Sequence, residues 1–320
     1  MNVVLQIFLQ NILPIFILVT LGYLVSRKFN LDIGTLNKIV FWLLVPAFTF
    51  ANLYVTDIGV DALKALSIAV LILLSNMVIG VVISKVRKYD NGMENAFQNA
   101  VMFYNSGNIG IPLITLVFST GAFLVDGQTP YLGIALTTQI MVLVVQNISV
   151  NTLGYFNAGR ANLHWKDALM NVLKMPAIYT VTLAFMLKLV PFDFTTLPVW
   201  PAILYLKSAL VPMALTILGA QLAKSKFQFN NKTAWLAVFI RLVVGPVLAL
   251  LFVTLFGLRG ILAQTLLISS AVPTAVNSAL VAVECNNHPD FATQVVILST
   301  LFGGVTLIGV IYGASLLFPF

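Results

Sequence analysis

Tyr104-Asn105-Ser106-Gly107-Asn108-Ile109-Gly110-Ile111-Pro112 breaks a long apolar stretch with polar, Gly- and Pro-bearing sequence. A second break, Val272-Pro273-Thr274-Ala275-Val276-Asn277-Ser278, stands at the corresponding place in the other half of the chain. In lipid, backbone N–H and C=O groups must pair within their own segment, so non-helical backbone survives only inside protein or beside a water-filled cavity. A matched pair of broken helices therefore points to a solute site near the bilayer midplane. Composition supplies the bilayer. Of 320 residues, 60% are hydrophobic and only 8% charged, with a mean hydropathy of +1.00. An ordinary soluble domain carries roughly a quarter charged residues.

The single cysteine, Cys285, excludes a disulfide framework and a cysteine-rich metal site. The net charge of +7 is no nucleic-acid signature, because the basic residues sit in short loops between apolar runs. The N-terminus lacks a basic region and a small-residue cleavage pattern, so its apolar run reads as a retained helix.

A spanning helix needs about 20 mostly apolar residues, and ten stretches qualify. They run from Leu5 to Ser26, Leu36 to Tyr54, Leu63 to Val86, Met93 to Phe118, Tyr131 to Phe156, Ala168 to Leu187, Val199 to Leu222, Thr233 to Phe256, Ile261 to Val283 and Phe291 to Leu317. The odd-numbered loops and adjoining helix ends carry Arg27, Lys28, Lys38, Lys85, Arg87, Lys88, Arg160, Lys166, Lys174, Lys224, Lys226 and Lys232. The opposite face carries Lys64, Lys188, Lys207 and Arg259. The positive-inside rule then puts both termini on the non-cytoplasmic side of a cytoplasmic (inner) membrane.

The halves align. Val45-Pro46 matches Val211-Pro212 at an offset of 166, and Gln98 matches Gln264 at the same offset. At that register Gly107 and Asn108 correspond to Pro273 and Thr274. Leu13-Pro14 resembles Met175-Pro176, and Thr138-Gln139 resembles Thr293-Gln294. Five spans per copy is odd, so the second copy enters the membrane from the opposite face. The expected fold is an all-α polytopic membrane protein of ten transmembrane helices. Residues 1–156 form one five-helix repeat and residues 157–320 its inverted copy.

Within the breaks, Pro273 cannot donate an intrahelical hydrogen bond, and Val272 before it is pushed from helical dihedrals. Gly107 and Gly110 permit unusual backbone, and Pro112 closes the first break. Each break leaves a half-helix N-terminus with partial positive charge, suited to a carboxylate. Asn105, Ser106, Asn108, Thr274, Asn277 and Ser278 supply neutral hydrogen bonds. Gln139 and Gln146, seven apart, share a helical face and either line the pathway, where they could also meet an ion, or bond between helices. Arg241 lies midway along span eight. It either pairs with an anionic solute or satisfies backbone carbonyls.

No Asp or Glu falls near the centre of a span, and His164 and His288 are loop residues. Coupling to protons through a buried carboxylate is disfavoured. Na+ remains open as a coupling ion, since hard cations accept neutral oxygen ligands. No other cofactor is implied. Neither a Gly-x-Ser-x-Gly elbow nor a His-Glu-x-x-His zinc site occurs, so an intramembrane enzyme is not the reading.

The run Asn105 to Leu113, with Val272-Pro273-Thr274 and the later Glu284-Cys285-Asn286-Asn287-His288-Pro289-Asp290, resembles the auxin efflux carrier family. That family includes plant PIN carriers and bacterial malate and malonate permeases. The resemblance implies crossing of broken spans four and nine. It implies a scaffold or dimerisation domain from spans one, two, six and seven, and an elevator-like transport domain from spans three to five and eight to ten. Substrate roles would fall on Asn105 and its neighbours and on Pro273 and Thr274. The chain departs from the plant pattern in its short connection, about Asn157 to Asp167, and in its uncharged span three from Ile68 to Ile83. The expected function is carriage of small organic anions (malate, malonate or an auxin-like acid), by a homodimer in the bilayer. A channel-like anion uniporter and a sodium-coupled carrier of another small organic solute stay open beside it.

Overall fold

The computed structural model describes residues 3–57, 60–159, 170, 173–225 and 229–319. Among these the chain is all-helical, and twelve helices carry the fold. They are α1 (Val3–Phe29), α2 (Ile33–Val55), α3 (Val60–Val86), α4 (Asn91–Met102), α5 (Ser106–Phe118), α6 (Leu132–Asn157), α7 (Pro176–Lys188), α8 (Trp200–Lys224), α9 (Lys232–Leu255), α10 (Gly260–Ser270), α11 (Val276–Glu284) and α12 (Pro289–Leu317). Seven of them, α1, α2, α3, α6, α8, α9 and α12, are long and apolar enough to cross a membrane. The expected spans four and nine are each split into two short helices, α4–α5 and α10–α11. Most of the connection between spans five and six, and the start of span six, lie outside the described residues.

Proline dictates a recurring local feature. Pro14, Pro46, Pro112 and Pro246 each follow a wide π-helical turn, at Phe8–Ile12, Val40–Leu44, Ser106–Gly110 and Ile240–Val244. A proline ring clashes with the carbonyl four residues back and offers no N–H to it. In each case that carbonyl sits in the middle of the wide turn, where the extra residue gives it room.

The connections sort onto two faces. On one, Asp32, Asp90 and Asn231 cap α2, α4 and α9 with their side chains. The Met93 amide, donating to Asp90 at 2.9 Å, holds that carboxyl below its ordinary range. Lys224 reaches the Leu31 carbonyl at 2.6 Å, and His288 lies 3.8 Å from Asp90. On the other face, Asn11 donates to Thr120 at 2.9 Å, Lys188 donates to the Thr56 carbonyl, and Tyr54 bonds at Phe192 and Phe194.

α1 packs on α8, and α2 packs on α7 and α8. A second assembly joins α3 with α4 and α6, α10 with α6, α9 and α12, and α11 with α12. The outer helix faces stay apolar: Leu24, Val78, Val247, Leu255 and Val305 are exposed. That coat suits lipid and would not suit water. The polar groups go inward, so that Arg241, Gln139 and Thr274 are fully buried.

Candidate functional site

α4 ends at Met102 and α10 at Ser270, both inside the protein. The segments that follow are extended and cross antiparallel. The Asn105 amide donates to the Pro273 carbonyl at 2.8 Å, and the Ala275 amide to the Phe103 carbonyl at 3.0 Å. Tyr104 and Thr274 form the centre of this small bridge. An antiparallel bridge is two-fold symmetric about its central pair. The local correspondence is therefore Tyr104 with Thr274, an offset of 170, and α5 and α11 both begin two residues beyond it. The sequence register of 166 is four residues short here; two of the four come from the breaks, which span 103–105 in one half and 271–275 in the other.

Neighbouring helices close the remaining accounts. Gln146 accepts from the Tyr104 amide at 3.2 Å. Ser299 accepts from the Thr274 amide at 3.1 Å, and the Thr274 hydroxyl donates to the Ala100 carbonyl at 2.9 Å. Arg241 donates to Val101 O at 3.1 Å and to Ser270 O, the carbonyl ends of α4 and α10. Its guanidinium also lies 4.8 Å from the Tyr104 ring centroid. One cation thus caps two buried helix C-termini, where partial negative charge gathers.

What remains open is a set of donors. Among the described residues, the amides of Gly107, Val276 and Asn277 meet no protein acceptor. The carboxamide nitrogens of Asn105 and Gln146 are buried and also lack one. Their oxygens are committed: Asn105 Oδ1 accepts from the Asn108 amide at 3.1 Å as the cap of α5, and Gln146 Oε1 holds Tyr104. The amide-bearing residues and both carboxamides border one cavity of about 360 Å³. Its deep end offers the N-termini of α5 and α11, with Arg241 one ring-thickness behind the Tyr104 wall. Phe41, Trp42, Val45 and Leu143 form apolar walls, and Lys38 and Glu284 are the charged residues of the lining. Tyr155 donates to Glu284 at 2.7 Å. A pocket with spare donors deep inside and apolar sides accepts an anionic group bearing an apolar body.

Of the residues singled out from sequence, Asn105, Ser106, Gly107, Asn108, Asn277 and Gln146 line this cavity. Arg241 does not. It stands behind Tyr104 and donates to two carbonyls, the second of the two roles open to it from sequence, while its Nε is buried without a protein acceptor. Thr274 and Val272 are fully buried away from the cavity, and Pro273 supplies the bridge carbonyl. Gln139 is not in the cavity lining: it donates to Ser106 O at 2.7 Å and braces the wide turn. A Cβ on Gly110 would press into that same amide nitrogen, so glycine is required there for close approach. Gly107 to Pro112 are wound into α5 and not unwound, so the open strand in this half is only Phe103-Tyr104-Asn105. Sequence reasoning missed Tyr104 as a wall, and Lys38, Trp42 and Glu284, which reach the cavity from distant helices.

Gln146→Glu tests the donor geometry. The Tyr104 amide keeps its acceptor, while the spare donor becomes a negative charge. Affinity for a carboxylate is expected to fall at least about tenfold, read by equilibrium binding on protein that still elutes as a folded peak.

The profile of the membrane transport protein family matches this chain over residues 7–167 and 161–311. An uncharacterized transporter of Methanothermobacter thermautotrophicus is 24% identical over 311 residues, covering 93% of this chain and 95% of the relative. An uncharacterized transporter of Methanocaldococcus jannaschii is 23% identical over 279 residues, covering 83% and 85%. With crossed half-helices inside a multi-pass membrane protein and a profile match across both halves, the chain belongs to the auxin efflux carrier family of membrane transport proteins and is not an enzyme.

Proposed function

We propose that this transporter carries small organic anions, carboxylates such as malate, malonate or an auxin-like acid, across the cytoplasmic membrane. The observation that carries the reading is the convergence of spare donors from Gly107, Val276, Asn277, Asn105 and Gln146 on one cavity. An anion placed there exchanges hydration for fixed dipoles that need no reorganisation.

The proposed architecture is ten passages in an inverted 5+5 repeat, with α4–α5 and α10–α11 each counted as one. The two-fold bridge at Tyr104 and Thr274 supports it, as do the two matched segments. The denser packing of α1, α2, α7 and α8 on one another than on the remaining helices supports a scaffold domain and a mobile transport domain. The cavity lies between them, walled by α2 on one side and by α5, α6 and α11 on the other, which fits elevator-type alternating access. The basic face, which carries Lys38, would be cytoplasmic, both termini would lie outside, and the working unit would be a homodimer.

Counterflow in proteoliposomes tests this, using labelled mono- and dicarboxylates with and without Na+ or a pH gradient. Saturable exchange of at least one carboxylate is expected. Asn105→Asp keeps the cap of α5 but replaces the spare donor with charge, so exchange should drop at least about tenfold. Resolved single-channel currents without exchange would favour the channel-like uniporter. Absolute dependence on Na+ would identify the coupling ion. No uptake of any carboxylate by folded protein would sink the proposal.

A further inference from the structure

A second cavity, of about 240 Å³, lies across the crossing from the first. α1 and α8 form one wall through Ile15, Val19 and Leu218, and Ile109, Pro273 and Leu307 form the other. The lining is almost wholly apolar, so this slot offers nothing to the anion of the proposed transport cycle. Exposed Thr20 and Leu301 flank a sideways opening onto the outer helix surface.

Two dimensions say what fits. Along α1 the slot runs from Ile12 to Tyr23, about 16 Å of helix at 1.5 Å per residue. One leaflet of hydrocarbon is roughly 15 Å deep. The slot is therefore about one leaflet long, and Pro273, packed on Gly303 near the level of Phe16, bounds it at the crossing. Its outer end is Tyr23, and the Arg27 guanidinium sits over that ring at 5.7 Å. Lys28 follows in the last turn of α1, and Lys224 ends α8 two residues beyond the lining residue Leu222. An apolar slot of leaflet length with cations at its headgroup end matches one molecule.

We propose that this slot binds one anionic phospholipid from the leaflet on the basic face, with an acyl chain between α1–α8 and Pro273–α12 and its phosphate at Arg27 and Lys28. The chain leaves hydrocarbon for hydrocarbon, so transfer from water contributes nothing to selectivity. Selection comes from shape and from charge, each basic residue near anionic headgroups being worth about fivefold in partition. The chain would sit against the crossing and between the two helix assemblies, so its presence would bear on their relative movement.

Native mass spectrometry of protein released from nanodiscs of equal phosphatidylglycerol and phosphatidylcholine tests the proposal. The wild-type chain is expected to retain one phosphatidylglycerol in preference to phosphatidylcholine. Arg27→Gln with Lys28→Gln should abolish the preference. Thr20→Trp and, separately, Leu301→Trp plug the opening and should each reduce the adduct at least about tenfold. Both positions are exposed, so if one variant fails to fold the other still decides. A tailless glycerophosphoglycerol headgroup should not compete. Survival of the adduct in the plugged variants, no preference in the wild type, or effective competition by the tailless headgroup would overturn it. None of these readouts depends on which solute is transported.

Discussion

Arg241→Met is expected to lower the unfolding free energy by about 3 kcal/mol, although it removes a buried charge. Burying a guanidinium is costly, and among the described residues it has no carboxylate partner to offset that cost. Relief of the burial cost alone would make the substitution stabilising. Against it stand two carbonyls, Val101 O and Ser270 O, at helix ends inside the protein where no helical donor exists. Each orphaned carbonyl costs about 1–3 kcal/mol, and the attraction of a cation to two helix C-termini is lost with them. Lysine should not rescue, because one ammonium cannot reproduce the planar fork that spans both oxygens. Gly245→Ala provides a milder version. Its Cβ would lie 2.7 Å from the guanidinium Nη2 and displace it without removing it. Chemical unfolding in detergent reads all three. If Arg241→Met keeps wild-type stability yet loses carboxylate binding, the guanidinium acts on the solute and the capping role is wrong.

Gly219→Leu should prevent α1 and α8 from docking at all. A Cβ at 219 would overlap the Val19 carbonyl and lie 2.7 Å from the Tyr23 amide. Gly22 answers from the other helix, where a Cβ would overlap the Thr216 carbonyl. These neighbours are backbone, which cannot rotate aside, so the helices must separate along their whole contact. Overpacking a side-chain contact costs about 1–3 kcal/mol, and a backbone overlap should exceed that. The expected result is loss of the monodisperse folded peak on size exclusion. Gly219→Ala should fold with a lowered unfolding temperature. A Gly219→Leu protein with wild-type stability would mean that α1 and α8 do not touch at this point.

Much of this was legible from the order of residues. Apolar runs and short basic loops gave the helices, because the bilayer imposes length and polarity on each segment. Pro273 and the Gly107–Pro112 run located both interruptions. Chemical role was harder to read. Asn105 and Gln146 border the cavity, whereas Arg241, Gln139 and Thr274 lie outside its lining and donate to main-chain carbonyls. A sequence shows that a buried group needs a partner and does not show which partner it takes. Lys38 and Trp42 were missed for a related reason. They join the cavity only through the packing of α2 beside α5 and α11, and no local pattern encodes that neighbourhood. The wide turn at Ser106–Gly110 was read as unwound because Gly and Pro signal disruption, whereas one added residue per turn was enough to accommodate Pro112.

The crossing is fastened by main-chain bonds between Asn105 and Pro273 and between Phe103 and Ala275, and three of its spare donors are main-chain amides. Side-chain drift cannot delete either. On the proposed reading, ancestral lineages could therefore re-tailor the walls at Phe41, Trp42, Val45 and Leu143 to suit new cargo while the main-chain donors at the crossing persisted. Grafting those wall positions from one homologue onto another should transfer cargo preference without rebuilding the fulcrum.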